Sequence, residues 1–216
     1  KLIFNIGSLG VLAIKSTKKI SKSEMLKKYD IKDNYIVISL HPETINDDND
    51  LIIKSLFKVL SENINRSIIF TSPNSDPGNK KIIHNIQKFI KSYPSQSKFI
   101  KSLGREAYIN LVRYADLLVG NSSSCVIEGP ALNTKSLLIG KRQDGRPLSP
   151  SVTKSNATYI SISTKINKLL NSKLKKKSKK NNFSYKSSNS IPRIIKILKT
   201  VCLDNIKLKK FNDQNK

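Results

Sequence analysis

The sequence predicts an α/β fold: a doubly wound, mostly parallel sheet covered by helices. Three observations carry this expectation. Five or six short apolar runs rich in β-branched residues alternate with longer stretches of helical periodicity. The residues able to do chemistry fall repeatedly just after the apolar runs, which is where ligands of such sheets bind. The 216 residues, 38% hydrophobic and 25% charged, suit one folded domain, or one and a half.

The elements follow in order. Residues 1–30 open with an apolar stretch and then turn Lys-rich. Ser21 and Glu24 form a capping-box pattern for a short helix ending at Tyr29. Tyr35–Leu40 is a β-branched run that reads as a buried strand. Asp47–Asn63 carries an apolar stripe (Leu51, Ile52, Leu56, Val59, Leu60) with helical spacing. Ser67–Thr71 is the next strand. Lys80–Lys91 is a helix with Ile82, Ile83, Ile86, Phe89 and Ile90 facing inward. Lys98–Lys101 is a short strand, Glu106–Tyr114 a helix, Leu117–Val119 the fourth strand and Ser136–Ile139 the fifth. Tyr159–Ile162 is expected to be a sixth strand. Residues 173–190 are Lys-, Ser- and Asn-rich without apolar periodicity and read as a solvated loop. Residues 191–203 fit a last helix with Pro192 in its first turn, and 204–216 a frayed polar tail.

Composition narrows the function classes. The net charge is +25, which by itself suggests nucleic acid or an anionic surface. However, 34 of the 40 basic residues are Lys, whereas base readout leans on Arg. Lys, Asn and Ile make up 84 of the 216 residues, the mark of an A/T-rich coding bias. A solvated lysine surface is therefore the preferred reading, with a nucleic-acid-associated protein as the lesser alternative. Cys125 and Cys202 have no paired spacing, so neither a disulfide framework nor a structural zinc site is expected. His41 and His84 are too few for a His-rich metal cage, and no cofactor is expected. Leu2–Ile14 is broken by Asn5, Gly7, Ser8 and Gly10 and is followed by lysines, unlike a cleaved leader or a span. The expected location is the cytoplasm, without a membrane partner.

The central stretch is Gly120-Asn121-Ser122-Ser123-Ser124-Cys125-Val126-Ile127-Glu128-Gly129-Pro130. An apolar run, a small polar turn and a short helix at Ala131–Leu132 would present backbone N–H groups to an anion. The serines add hydroxyl donors, and Glu128 is placed to accept from sugar hydroxyls. The same stretch also reads as an ordinary helix cap. His41 can move a proton near neutral pH or donate to a phosphate, or be a structural histidine. Asn74 and Asp76 lie in the Pro-bracketed turn Pro73–Gly78, where they orient a loop or a hydroxyl, or simply make the turn. Gly140–Arg146 is a glycine-bracketed basic loop. Its Arg142 and Arg146 suit a diphosphate, unless the loop is only solvated.

His41-Pro42-Glu43-Thr44, Phe70 through Gly78, Ser102-Leu103-Gly104, Ala115 through Pro130 and Gly140 through Arg146 occur together in this order. From about Phe4 to Lys199 the chain resembles the C-terminal half of the UDP-N-acetylglucosamine 2-epimerases, specifically the hydrolysing branch serving sialic-acid-type sugar synthesis. The resemblance implies one Rossmann-like domain of a two-domain glycosyltransferase B-type fold. Residues 31–172 would be the nucleotide-binding domain, and residues 1–30 a remnant of the N-terminal domain and the crossover. It implies that Ser122, Ser123 and Arg142 hold the diphosphate, Glu128 the ribose, and His41 the phosphate region or the chemistry, with Asn74 and Asp76 beside it. The implied reaction turns UDP-N-acetylglucosamine into N-acetylmannosamine and UDP by elimination and hydration. The resemblance further implies a nucleotide-sugar substrate linked to UDP or GDP, a homo-oligomer, and an N-terminal half in the same or a separate chain. This chain alone would then be inactive. A non-catalytic nucleotide-sugar-binding module is the other reading of the same residues. Two positions depart from the family pattern: Cys125 stands where Gly is usual, and Gly129 where Ala is usual.

Overall fold

The computed structural model describes residues 3–43, 49–63, 65–172, 185 and 189–202. Its centre is a six-stranded sheet in which every pairing is parallel. The strands are β1 (Tyr35–Ser39), β2 (Ser67–Thr71), β3 (Ser97–Ile100), β4 (Leu117–Gly120), β5 (Ser136–Ile139) and β6 (Val152–Ser155), in spatial order β3-β2-β1-β4-β5-β6. The helices are α1 (Leu9–Ser16), α2 (Lys22–Tyr29), α3 (Asn49–Asn63), α4 (Asn79–Ser92), α5 (Gly104–Tyr114), α6 (Glu128–Leu132), α7 (Tyr159–Asn171) and α8 (Ser190–Thr200). A single 3-10 turn, Ser123–Cys125, precedes α6.

A sheet covered on both faces needs strands that are apolar on both faces. β1 meets this fully, with all five residues buried. Its Ile36 and Ile38 face one apolar layer, with Leu56, Val59, Leu60, Ile86 and Ile162 of α3, α4 and α7. Tyr35 and Val37 face the other, with Met25, Leu111, Val112 and Val126. Phe57, Phe70 and Phe89 meet in the first layer with ring centroids 5.3–5.5 Å apart. In the second, the buried Tyr35 hydroxyl donates to the Leu111 carbonyl at 2.6 Å.

The sixth strand differs from the sequence reading. Tyr159–Ile162 begins α7, and β6 is Val152–Ser155 instead. The Thr158 hydroxyl caps α7 by accepting from the Ser161 N–H, and Ile162 and Ile166, four apart, are buried together. β6 lies at the sheet edge, where one side of the strand needs no partner. A polar Val-Thr-Lys-Ser run is tolerated there and gives little apolar signal. The apolar opening also yields α1, capped by Ser8, with Val11 and Ile14 buried. Ser21 caps α2 as its pattern predicts, accepting from the Glu24 N–H at 3.1 Å. α8 begins at Ser190, whose hydroxyl donates to the Ile6 carbonyl at 2.5 Å. The start expected at Asp47, the tail at 204–216, and residues 173–190 apart from Tyr185, Asn189 and Ser190 lie outside the described residues. Among the described residues, no helix is long and apolar enough to cross a membrane.

Candidate functional site

β1 and β4 are neighbours although two strand–helix units separate them in the chain. Connections leave this pair in opposite directions, so a crevice opens at their carboxyl ends. The approach is close. Ser39 pairs with Gly120, and a methyl on Gly120, where φ is +148°, would overlap the Ser39 carbonyl. Only glycine allows this spacing.

Asn121 follows directly and is buried. Its Oδ1 accepts from the His41 N–H at 2.8 Å, and its Nδ2 donates to the His41 carbonyl at 2.8 Å. One side chain therefore satisfies both backbone groups of His41, two residues past the end of β1. It also reaches the buried Glu43 carboxylate at 3.4 Å. The Glu43 backbone N–H and carbonyl are in turn bonded by the Asn49 side chain, at 2.8 and 2.9 Å.

The His41 ring is fixed at both nitrogens. Nδ1 accepts from the Asn74 N–H at 3.0 Å, which puts the proton of the neutral ring on Nε2. Nε2 lies 3.1 Å from the Ser122 hydroxyl, so it donates to that oxygen. Burial, aided by the Arg142 charge, lowers the His41 pKa against the opposing pull of the Asn74 hydrogen bond and Asp76. The imidazole therefore presents an N–H, not a free lone pair, to the crevice.

Arg142 spans the same gap. Its Nε donates to the Pro42 carbonyl at 3.3 Å, its Nη1 to the Asn121 carbonyl at 3.5 Å, and its Nη2 lies 3.9 Å from Asp76. Asp76 accepts from the Asn74 amide. The neighbouring Gln143, buried, donates to the Asn121 carbonyl at 3.1 Å. His41, Asn74, Asp76, Ser122 and Arg142 are thus joined by direct contacts around one crevice. Arg146, expected to pair with Arg142, is exposed on the same loop.

The serine turn runs into one 3-10 turn and then a five-residue helix. With so short a helix, the donors of the turn are hydroxyls and individual N–H groups more than a macrodipole. Ser122 caps the turn by accepting from the Ser124 N–H at 3.2 Å, and Ser123 follows, half-buried. Glu128 opens α6. Its Oε2 is buried without a hydrogen bond among the described residues, and an incoming hydroxyl would satisfy it. Cys125 points inward: its Sγ lies 3.8 Å from the Gly120 carbonyl and its thiol pKa is raised by burial, so it leaves the crevice clear. A methyl on Gly129 would run into the Ser136 hydroxyl, which accounts for glycine there.

Sequence reading missed Asn121 and Gln143. Both sit inside motifs already singled out. The available signal was a polar residue directly after the strand-ending Gly120, where a buried amide has two strand ends to bridge. Among the described residues no group of three His, Cys, Asp or Glu side chains could hold a metal ion.

The family model described as UDP-N-acetylglucosamine 2-epimerase matches residues 1–199. The chain is 35% identical over 149 residues to the GDP/UDP-N,N'-diacetylbacillosamine 2-epimerase (hydrolyzing) of Campylobacter jejuni, covering 68% of this chain and 39% of that protein. It is 30% identical over 212 residues to the UDP-N,N'-diacetylbacillosamine 2-epimerase (hydrolyzing) of Legionella pneumophila, covering 97% of this chain and 55% of that one. The Methanocaldococcus jannaschii UDP-GlcNAc 2-epimerase, solved with UDP-GlcNAc and UDP, superposes with a TM-score of 0.71 at 21% identity, over 92% of this chain and 55% of that one. The chain spans about half the length of the relatives it matches.

Proposed function

The chain belongs to the UDP-N-acetylglucosamine 2-epimerase family, and from that premise we propose that it supplies the nucleotide-holding half of a hydrolysing sugar-nucleotide 2-epimerase. One observation carries the reading: a neutral His41 N–H, the Ser122 hydroxyl and the Arg142 guanidinium converge where the strand order reverses. Such a set of fixed donors suits a diphosphate better than a sugar ring. In this reading Ser122, Ser123 and Arg142 hold the diphosphate, and Glu128 accepts from the ribose hydroxyls. Asn74 and Asp76 set His41 and Arg142 at the edge of the nucleotide.

The reaction in this reading is the one that the family resemblance implies. A base removes the proton on the sugar C2. The C1–O bond to the diphosphate breaks, its electron pair leaves with UDP, and a C1–C2 double bond forms. Water then adds, its oxygen to C1, while a proton reaches C2 from the opposite face. UDP-N-acetylglucosamine and water thus give N-acetylmannosamine and UDP. His41, with its proton on Nε2, steadies the charge growing on the departing phosphate by a hydrogen bond. It is poorly set to serve as the C2 base, which we assign to the facing half of the enzyme.

A second reading of the sugar rests on the names of the Campylobacter and Legionella relatives, both of which specify N,N'-diacetylbacillosamine. The test is to combine this chain with the amino-terminal half of such a relative. UDP-N-acetylglucosamine and the corresponding 2,4-diacetamido sugar nucleotide are then offered in parallel, and free UDP and the 2-epimeric sugar are followed. Release of UDP with an inverted free sugar supports the hydrolysing reading, and the preferred substrate decides the sugar. A UDP-linked epimer without free UDP would overturn it.

A further inference from the structure

Beneath the serine turn lies a buried hydroxyl that the site as described does not use. Tyr108, on α5, places its phenol beside the hydroxyls of Ser39 and Ser124 without a hydrogen bond of good geometry to either. Burial raises its pKa, so the group stays protonated and is available as a donor. Ser39 is the last residue of β1, and the Ser124 N–H donates to the Ser122 oxygen that also meets His41. An unsatisfied buried hydroxyl costs free energy, so its retention calls for a reason.

We propose that Tyr108 is a positioning residue for the serine turn, its hydroxyl bonding Ser124 from below once an anion engages the turn from above. When the Ser124 O–H donates to a phosphate oxygen, its own oxygen becomes a better acceptor, and the Tyr108 O–H closes onto it. His41 holds the turn through Ser122 at the rim, and Tyr108 holds it through Ser124 from the core. The inference rests on the reading that this turn carries the diphosphate.

The experiment compares Tyr108→Phe, Ser124→Ala, the double variant and Arg142→Ala, measuring affinity for UDP and for uridine by calorimetry together with thermal unfolding. Tyr108→Phe should weaken UDP about three- to tenfold, leave uridine unchanged and not lower the unfolding midpoint. Ser124→Ala should do the same, and the double variant should lose no more than Ser124→Ala alone. Unchanged UDP affinity in Tyr108→Phe, with Arg142→Ala weakened, overturns the role of Tyr108 and leaves the site standing. A lowered midpoint with equal losses for UDP and uridine shows a merely structural tyrosine and overturns the proposal. Full UDP affinity in every variant removes the diphosphate site itself, and the proposal with it.

Discussion

The Nε2 of His41 lies 3.1 Å from the hydroxyl of Ser122, across the line where β1 and β4 meet. The two residues are 81 apart in the chain, and the sheet order alone makes them neighbours. The contact depends on two buried devices behind it. Gly120 lets the strand ends close, and Asn121 ties off the His41 backbone so that the ring is free to face the crevice.

The first prediction concerns pH. His41 has a folded-state pKa below its ordinary value of 6.5, chiefly because it is buried. Below about 6.5 the unfolded chain takes up a proton that the folded chain resists, so ν_U exceeds ν_N and stability rises with pH. The contribution is complete above the unfolded value and is lost as pH falls toward the folded one. Urea unfolding between pH 5 and 8 should show this slope, at most about 1.4 kcal/mol per pH unit for one proton. His41→Gln should flatten it, and an identical slope in the variant would assign the dependence to other groups.

Arg142 provides the second. A charge-assisted contact to a phosphate is worth about 1.5–3 kcal/mol, so Arg142→Ala should weaken UDP about tenfold to a hundredfold. Arg66 is the control. It pairs with Asp116 at 2.9 Å at the opposite, amino end of the strands, and both side chains are about 30% exposed. Arg66→Ala should cost under about 1 kcal/mol of stability and leave UDP binding unchanged. Equal losses by calorimetry would point to general attraction by a basic protein instead of a site.

The strand–helix alternation was legible because buried parallel strands must be apolar on both faces, and Tyr35–Ser39 and Ser136–Ile139 could hardly be anything else. The polar edge strand at Val152–Ser155 was not, since an edge strand lacks that requirement. Tyr159–Ile162 mimics a strand over four residues, and only the later Ile166 reveals the helical period. At the rim, placement after each strand pointed to His41, Asn74, Asp76, Ser122 and Arg142. Asn121 and Tyr108 were hidden because what matters is the partner each one faces, and that depends on strand order.

Asn121 carries the third prediction. Asn121→Ala removes both hydrogen bonds to the His41 backbone and should cost about 2–4 kcal/mol. Asn121→Asp keeps the acceptor for the His41 N–H but replaces the donor. It turns a carboxylate oxygen toward the His41 carbonyl and the Glu43 carboxylate, which the amide now meets at 3.4 Å. Repulsion at a buried site should make it at least as destabilising as alanine at pH 7. It should recover part of the loss in mild acid, where the new carboxyl can protonate and donate. Chemical denaturation at the two pH values measures the difference, and a carboxylate variant more stable than alanine at pH 7 would contradict this account of the amide.

The last prediction separates binding from turnover. Elimination needs a base at the sugar C2 and a stabilising donor at the departing oxygen, both within hydrogen-bond reach. The described acid–base groups of this rim are already engaged. His41 spends Nδ1 on the Asn74 N–H and carries its proton on Nε2, Asp76 faces Asn74 and Arg142, and Glu43 is buried behind Asn121. Glu128 has a buried carboxylate oxygen without a hydrogen bond among the described residues, and in the proposed reading the ribose occupies it. The chain by itself should therefore bind UDP yet release none from UDP-N-acetylglucosamine. A missing base costs about 10²–10⁴-fold, and an open crevice loses sugar positioning and water exclusion as well. Purified chain incubated with the sugar nucleotide should show no free UDP over hours. Adding a separately produced amino-terminal half should start release, and His41→Ala should slow it with little change in UDP affinity relative to Arg142→Ala. Turnover near one per second by the chain alone would mean that the base lies on this rim and that the carboxylate assignments are wrong.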